Sequence, residues 1–330
     1  MIRRSLLIPV LLAACAEGSG PPTGPDLLTV VAHAGEAQIA IGNTTVATPP
    51  AVRVTDAGTP RSGVMVEFTV LAGGGEITEH LVPTDADGVA RVGSWRVGAP
   101  GTEQQLSARV GLTNQSVVFA AQAITGPYHD LVMRSGLNFD SQVEVGHEVP
   151  GPLSVVTVDR GGNPVSGVPV FWTVRPNSGD IEGADPVSGP DGVARIRSWR
   201  ASTVAGRQTV EVRGGEPHFL PYTMSVTAVP GPAASIERLT PEHVVAAPAT
   251  NVMQPPRVRV RDQYGNLVYT RQAIFTVTEG GGSVDNTHQI LDANGTAGVM
   301  RWTLGPTPGT HRIRVQVDQV FTDFTATANP

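Results

Sequence analysis

Short runs that alternate apolar and polar residues recur along most of this chain. Val52-Arg53-Val54-Thr55, Gln208-Thr209-Val210-Glu211-Val212-Arg213 and Arg257-Val258-Arg259-Val260-Arg261 each place an apolar side chain at every second position. His311 to Asp318 does the same across eight residues. A period of two puts the apolar set on one face of a half-buried strand. Between the runs stand Asp-Gly and Asn-Gly pairs, which supply the positive φ that tight hairpin turns need. The long amphipathic stretches that make helices are missing. Roughly seven strands per hundred residues, with turns every 8–12, predict an all-β chain of antiparallel sandwiches.

The pattern repeats. An aspartate, an aromatic residue, an Asp-Gly or Asn-Gly pair, a tryptophan and a glycine recur about every 103 residues. The first copy runs through Asp56, Phe68, Asp87-Gly88, Trp95 and Gly101. The second has Asp159, Trp172, Asp191-Gly192, Trp199 and Gly206; the third has Asp262, Phe275, Asn294-Gly295, Trp302 and Gly309. The interval from Gly88, Gly192 or Gly295 to its tryptophan is seven residues in all three copies. Gly-Pro pairs at 24–25, 126–127 and 231–232 open the units at nearly the same period. The expected domains are therefore 25–125, 126–230 and 231–330. Trp95, Trp199 and Trp302 are expected to plug the three cores from one sheet, opposite Phe68, Trp172 and Phe275 on the other. Gly88, Gly192 and Gly295 are expected at the turns.

The N-terminus reads differently. Arg3 and Arg4 precede a nine-residue run, Leu6 to Ala14, interrupted only by Pro9. It is too short to span a bilayer, which needs about 20 residues, and long enough for the core of a signal peptide. It ends in Leu12-Ala13-Ala14-Cys15, which resembles a bacterial lipobox. The resemblance implies a leader over 1–14, cleavage between Ala14 and Cys15, and a covalent lipid on the Cys15 sulfur. An ordinary secretory signal with an incidental cysteine is the competing reading. Cys15 is the only cysteine, so no internal disulfide is available to an exported chain and an anchor is the economical use of the thiol. Residues 15–24 then form a polar tether too rich in Gly, Ser and Pro to pack.

Composition narrows the functions. All 23 basic residues are arginine, which excludes Schiff-base and P-loop lysines and a Lys–Asn crosslink. The net charge of −6 becomes −8 once Arg3 and Arg4 leave, when 21 arginines face 29 acids. An acidic surface without a basic stripe argues against nucleic acid. Mean hydropathy near zero excludes a polytopic membrane protein.

At the second copy the motif becomes specific. Val156, Asp159, Gly162-Asn163-Pro164-Val165, Gly167, Val168, Val170 and Phe171, followed by Asp191-Gly192-Val193-Ala194, resemble the bacterial Ig-like domains of the invasin/intimin type (group 1). The first copy shortens the turn to Gly58-Thr59-Pro60, and the third replaces its proline with Leu267. The resemblance implies three tandem immunoglobulin-like sandwiches forming a stiff surface rod. The membrane barrel and lectin-like tip common in such proteins have no counterpart in this sequence.

Candidate chemistry is sparse. Asp85, Asp87 and Gly88 look like the start of a calcium loop, but position twelve is Arg96 where that loop needs glutamate. A hairpin turn is the favoured reading. Calcium between domains stays open as the minor reading of Asp56, Asp159 and Asp262, which a turn-forming role explains equally well. The histidines at 33, 80, 129, 147, 218, 243, 288 and 311 show no metal-ligand spacing, and no Gly-x-Ser-x-Gly elbow occurs. Gly73 to Gly75 and Gly280 to Gly282 read as flexible connections. Arg195, Arg197 and Trp199 share one strand parity, so either a bulge intervenes, which is the favoured reading, or Trp199 is partly exposed.

The resulting expectation is a monomeric, non-enzymatic, lipid-anchored envelope protein, placed by family analogy at the outer membrane. It would act as a spacer or adhesion module toward a protein or glycan partner, through loops at the sandwich ends. A carbohydrate-binding or accessory module of an envelope complex is the alternative. It would need exposed aromatic rings from a chain with only 5% aromatic residues.

Overall fold

The computed structural model describes residues 28–111, 115–135, 141–151, 153–215 and 220–329. The leader, Ala14, Cys15, the tether, the Gly-Pro pair at 24–25 and His218 lie outside the described residues. The described residues form strands, turns and loops and no helix. Backbone contacts divide the chain at Thr125/Gly126 into two compact units, the second of which holds two sandwiches.

In the first unit one sheet sets Leu28–Ala34 beside Ala51–Asp56, which also pairs with Thr59–Pro60 and Val89–Arg91. The facing sheet runs Gln38–Ile41, Ser116–Ile124, Glu103–Val110, Met65–Ala72, Leu81–Pro83. Alternation decides what lies between them: Leu106, Ala108 and Val110 from one strand and Val66 and Phe68 from its neighbour are buried. Strands from Asp130–Ser135 to Tyr222–Val229, and from Ser235–Arg238 to Val320–Ala328, repeat this order. Among the described residues neither repeat has a strand matching Thr59–Pro60, and the second sandwich also lacks one matching Leu81–Pro83. Each repeat encloses its own apolar cluster.

Every sandwich departs from pure antiparallel pairing at one edge. After pairing in the first sheet, the chain crosses over, and Gln38–Ile41 runs parallel to Ser116–Ile124. Gln142–Glu144 and His243–Ala246 do the same against the last strands of their own sandwiches. In the first unit Gly35 and Ala37 take left-handed backbone at the crossing.

The tryptophans settle the parity conflict. Arg195 and Ile196 alternate out and in, the strand Val193–Ile196 ends, and the chain bends at Arg197. It resumes as Ser198–Arg200, paired with Asp180–Glu182. The bend shifts the inward position by one residue, so Ile196 and Trp199 are both buried while Arg195, Arg197 and Arg200 face water. Val92 with Trp95, and Val299 with Trp302, keep the same three-residue step. All three tryptophans sit in two-stranded ribbons beside the main sheets, in the sheet-to-sheet crossing, and not in the sheet opposite the first aromatic as expected. Phe68 and Phe275 share their cores. Trp172 differs from expectation: it is only half-buried, with Nε1–H donated to the Asp185 carbonyl at 3.0 Å. Its strand, Val170–Val174, ends the sheet, without the short fifth strand that flanks Met65–Ala72 and Gln272–Glu279.

The turn glycines also differ from simple hairpins. Gly88, Gly192 and Gly295 have φ of 73°, 71° and 66°, while Asp87, Asp191 and Asn294 keep negative φ. Their flanking segments pair with different sheets, as Leu81–Pro83 joins Met65–Ala72 and Val89–Arg91 joins Ala51–Asp56. Each turn therefore carries the chain across the sandwich. Tight packing accompanies the positive φ: a Cβ on Gly192 would lie 2.8 Å from Pro164 and 3.0 Å from the Val165 nitrogen. The Gly192 carbonyl accepts the Thr157 N–H at 2.9 Å. Gly192→Val, which adds a β-branched side chain to strained backbone, is expected to cost about 2–4 kcal/mol. The urea midpoint of the second unit measures it; a shift no larger than that of an exposed-strand control refutes the packing argument.

Candidate functional site

The residues singled out from sequence do not converge on one centre. They serve three separate cores and three separate turns, and among the described residues no three His, Cys, Asp or Glu side chains gather as a metal site. The suspected calcium loop uses its carboxylate on the backbone. Asp85 Oδ1 accepts N–H groups of Asp87 and Val89, both at 2.9 Å. Asp292 repeats this with Asn294 and Thr296, and its Oδ2 accepts the Thr296 hydroxyl at 2.8 Å. The hydrogen bonds from Thr296, then that from Asn294, hold the Asp292 carboxyl below its usual value against the opposing effect of burial.

The recurrent strand-end aspartates build something more specific. Asp159 is almost fully buried. Its Oδ1 accepts the Gly161 and Asn163 N–H groups at 2.8 and 2.9 Å, and the Asn163 carboxamide reaches both oxygens at 2.9 Å. Its Oδ2 accepts the Gly126 N–H at 2.7 Å, tying the strand end to the first residue of its own domain. Asp262 is built alike, accepting from Tyr264, Asn266 and Gly231. Asp56 lacks this arrangement; it is half-buried and faces Arg61 at 3.9 Å.

Asn266 also reaches the second sandwich. Its Oδ1 accepts the Ala205 N–H at 2.9 Å and its Nδ2 donates to the Thr203 carbonyl at 2.8 Å. Nearby, Arg271 stands 3.8 Å from Glu144 and 3.6 Å from Asp318, while Asp318 Oδ2 accepts the Ala233 N–H at 2.8 Å. Peptide N–H groups thus bond the Asp159 and Asp262 oxygens that carried the minor reading of an interdomain calcium, while the Arg271 guanidinium faces Glu144 and Asp318.

A second set of residues was not singled out from sequence. Gln104, Gln208 and His311 occupy inward positions of their strands and are fully buried. Each accepts a backbone N–H, from Gly98 at 2.7 Å, Ser202 at 2.8 Å and Gly305 at 3.3 Å. Each also donates to the loop that precedes its strand: Gln104 to Thr102, Gln208 to Val204, and His311 Nε2 to the Thr307 carbonyl at 3.1 Å. The Gly305 bond makes Nδ1 the acceptor, so Nε2 carries the proton. The signal was available, since each of these residues follows its tryptophan by nine positions. Gly73 and Gly280 press against Gln104 and His311, where a Cβ would collide with the side chain. The outer glycines of each run, Gly73 and Gly75, Gly280 and Gly282, are therefore close-approach points, while Gly74 and Gly281 between them face open space.

The arginines near Trp199 are similarly occupied. Arg195 Nη2 bonds Asp191 at 3.1 Å, and Arg200 Nε donates to the Gly146 carbonyl at 2.9 Å. All four tryptophans are described, and none is exposed.

No protein-family model matches the chain, and no curated protein matches it. Solved structures do. FdeC, an Escherichia coli adhesin, aligns over 93% of this chain and 99% of its own at 15% identity and a TM-score of 0.45. Invasin, a bacterial integrin-binding protein, aligns over 92% of this chain and 60% of its own at 20% identity and 0.43. InvD of Yersinia pseudotuberculosis aligns over 92% and 98% at 14% identity and 0.42. At these identities and scores no partner or activity passes from them to this chain.

Proposed function

We propose that this chain is a lipid-anchored, non-enzymatic protein of the cell envelope whose three sandwiches act as a spacer and presentation module. The observation that carries the reading is the disposition of its polar chemistry. Asp159, Asp262, Gln104, Gln208 and His311 are buried and spent on backbone groups of their own folds. Such groups hold loops and linkers in place; they offer nothing to a substrate. The lipobox-like Leu12-Ala13-Ala14-Cys15 supplies the attachment, and the polar stretch to Gly24 the reach. Acylation at a cleaved Cys15 would place two or three chains there, enough for stable anchoring where one is not. The bacterial Ig-like resemblance in the Gly162-Asn163-Pro164 segment supports an envelope setting. A glycan-binding platform finds less support, because a flat aromatic stripe would have to be assembled without an exposed tryptophan.

Cys15→Ser followed by membrane fractionation tests the anchor. The parent chain is expected in the membrane fraction and the variant in the soluble fraction; a variant that stays with the membrane refutes lipidation as the attachment. Protease treatment of intact cells tests presentation, with loss of the third sandwich expected. Its full protection in intact cells, with cleavage after lysis, refutes surface display.

A further inference from the structure

We infer that Asn266, assisted by Arg271, clasps the second and third sandwiches into one rigid segment, with Asn266 as the positioning residue. The inference is independent of what the protein presents or binds.

The geometry turns on what a carboxamide can do. Both of the Asn266 Nδ2 hydrogens are used, one on Asp262 Oδ2 and one on the Thr203 carbonyl, each at 2.8 Å. Oδ1 accepts the Ala205 N–H at 2.9 Å. Donor and acceptor thus meet a carbonyl and an N–H two residues apart on the loop of the second sandwich, as a paired strand would. Aspartate has no hydrogen for Thr203, and an aliphatic side chain satisfies neither group. The residue is held from behind as well. Its backbone N–H donates to Asp262 Oδ1 at 2.9 Å, and its carbonyl accepts the Asp262 N–H at 3.0 Å.

Asp262 joins this clasp to the linker, because its Oδ2 also accepts the Gly231 N–H at 3.1 Å. Asp318 Oδ2 accepts the Ala233 N–H two residues later. The connection between the sandwiches is therefore pinned at both residues by carboxylates of the third. Arg271 adds a charge contact across the joint to Glu144 while facing Asp318 on its own side. Both long side chains are about one-third exposed, so this pair is the weaker element. The loop that Asn266 grips is itself rigid: Gln208 ties Ser202 and Val204 to the core strand Gly206–Gly214. A rigid loop, a fixed carboxamide and a pinned linker leave no free hinge between the two cores.

The test uses the full chain carrying Cys15→Ser, with spin labels on Thr223→Cys and Thr276→Cys, exposed positions on the second and third sandwiches. Dipolar spectroscopy should give one narrow distance distribution. Asn266→Ala and Asn266→Asp should each broaden it about twofold, and amide exchange at Ala205 should quicken about tenfold. Asn266→Asp keeps the size and backbone bonds, so it reads the joint even if the alanine variant fails to fold. Arg271→Gln should broaden the distribution less than either. Distributions and Ala205 exchange unchanged in a folded Asn266→Asp variant overturn the clasp. A lower melting temperature without broadening also overturns it, since Asn266 would then serve only its own turn.

Discussion

Trp199→Ala is expected to cost the second sandwich about 3–5 kcal/mol, a large part of the stability of a domain this size. The indole is fully buried in the sheet-to-sheet crossing, and its Nε1–H bonds the Ser178 carbonyl at 2.7 Å. The substitution opens a cavity and strands that carbonyl acceptor together. Trp199→Phe separates the two effects: it retains most of the packing and loses the bond, and should cost about 1–2 kcal/mol. Trp95 and Trp302 make no hydrogen bond through Nε1, so at these positions the phenylalanine variants should cost less than Trp199→Phe. Urea denaturation followed by far-UV circular dichroism measures the series. Equal costs for the three phenylalanine variants would refute the role given to the Ser178 bond.

Asp159→Ala should have a comparable effect, about 3–5 kcal/mol, for a different reason. No large volume is lost. Instead the Gly126, Gly161 and Asn163 N–H groups and the Asn163 carboxamide lose a shared buried acceptor. The carboxylate also sets a pH dependence. Burial pushes its pKa up, but hydrogen bonds from the Asn163 side chain, Gly126, the Asn163 backbone and Gly161 together outweigh burial and hold it below the usual 3.8. The unfolded chain therefore binds a proton at higher pH than the folded one. The stabilising contribution is complete above the unfolded value and is lost as pH falls through the lowered native value. The parent chain should accordingly lose stability below about pH 4. Part of that loss should vanish in Asp159→Asn, whose side chain does not titrate; the remainder comes from groups such as Asp323, lowered chiefly by its bond to Arg314. Melting temperatures between pH 2.5 and 6 decide it, and identical slopes for parent and Asp159→Asn would refute the assignment.

The strand pattern was legible because burial in a sandwich is a local matter of parity. In Glu103–Val110 the apolar residues at alternate positions are the ones that face the core. Seven-residue Gly-to-Trp spacing was equally legible, because one crossing geometry fits all three copies. The same parity rule exposed a conflict at Arg195 to Trp199, and a break in the strand resolves it, because a change of sheet resets the phase at Arg197. The rule passed over Gln104, Gln208 and His311, polar residues at inward positions whose partners are backbone groups of a neighbouring loop. Hydropathy treats such residues as breaks in a pattern, although their burial is satisfied.

The sequence by itself determined that the chain is all-β, that its pattern repeats three times, and that a glycine and a tryptophan recur at fixed spacing in each copy. These follow from side-chain periodicity and backbone sterics, which neighbours along the chain impose. Only the tertiary structure decided that the turns cross between sheets and that Trp172 is half covered. It also decided that Asp159, Asp262 and Asn266 tie domain starts and the joint of the second unit. Those outcomes depend on which N–H and C=O groups, dozens of residues away, arrive at a given carboxylate or carboxamide. That is set by how the strands pair and pack, and no local pattern encodes it.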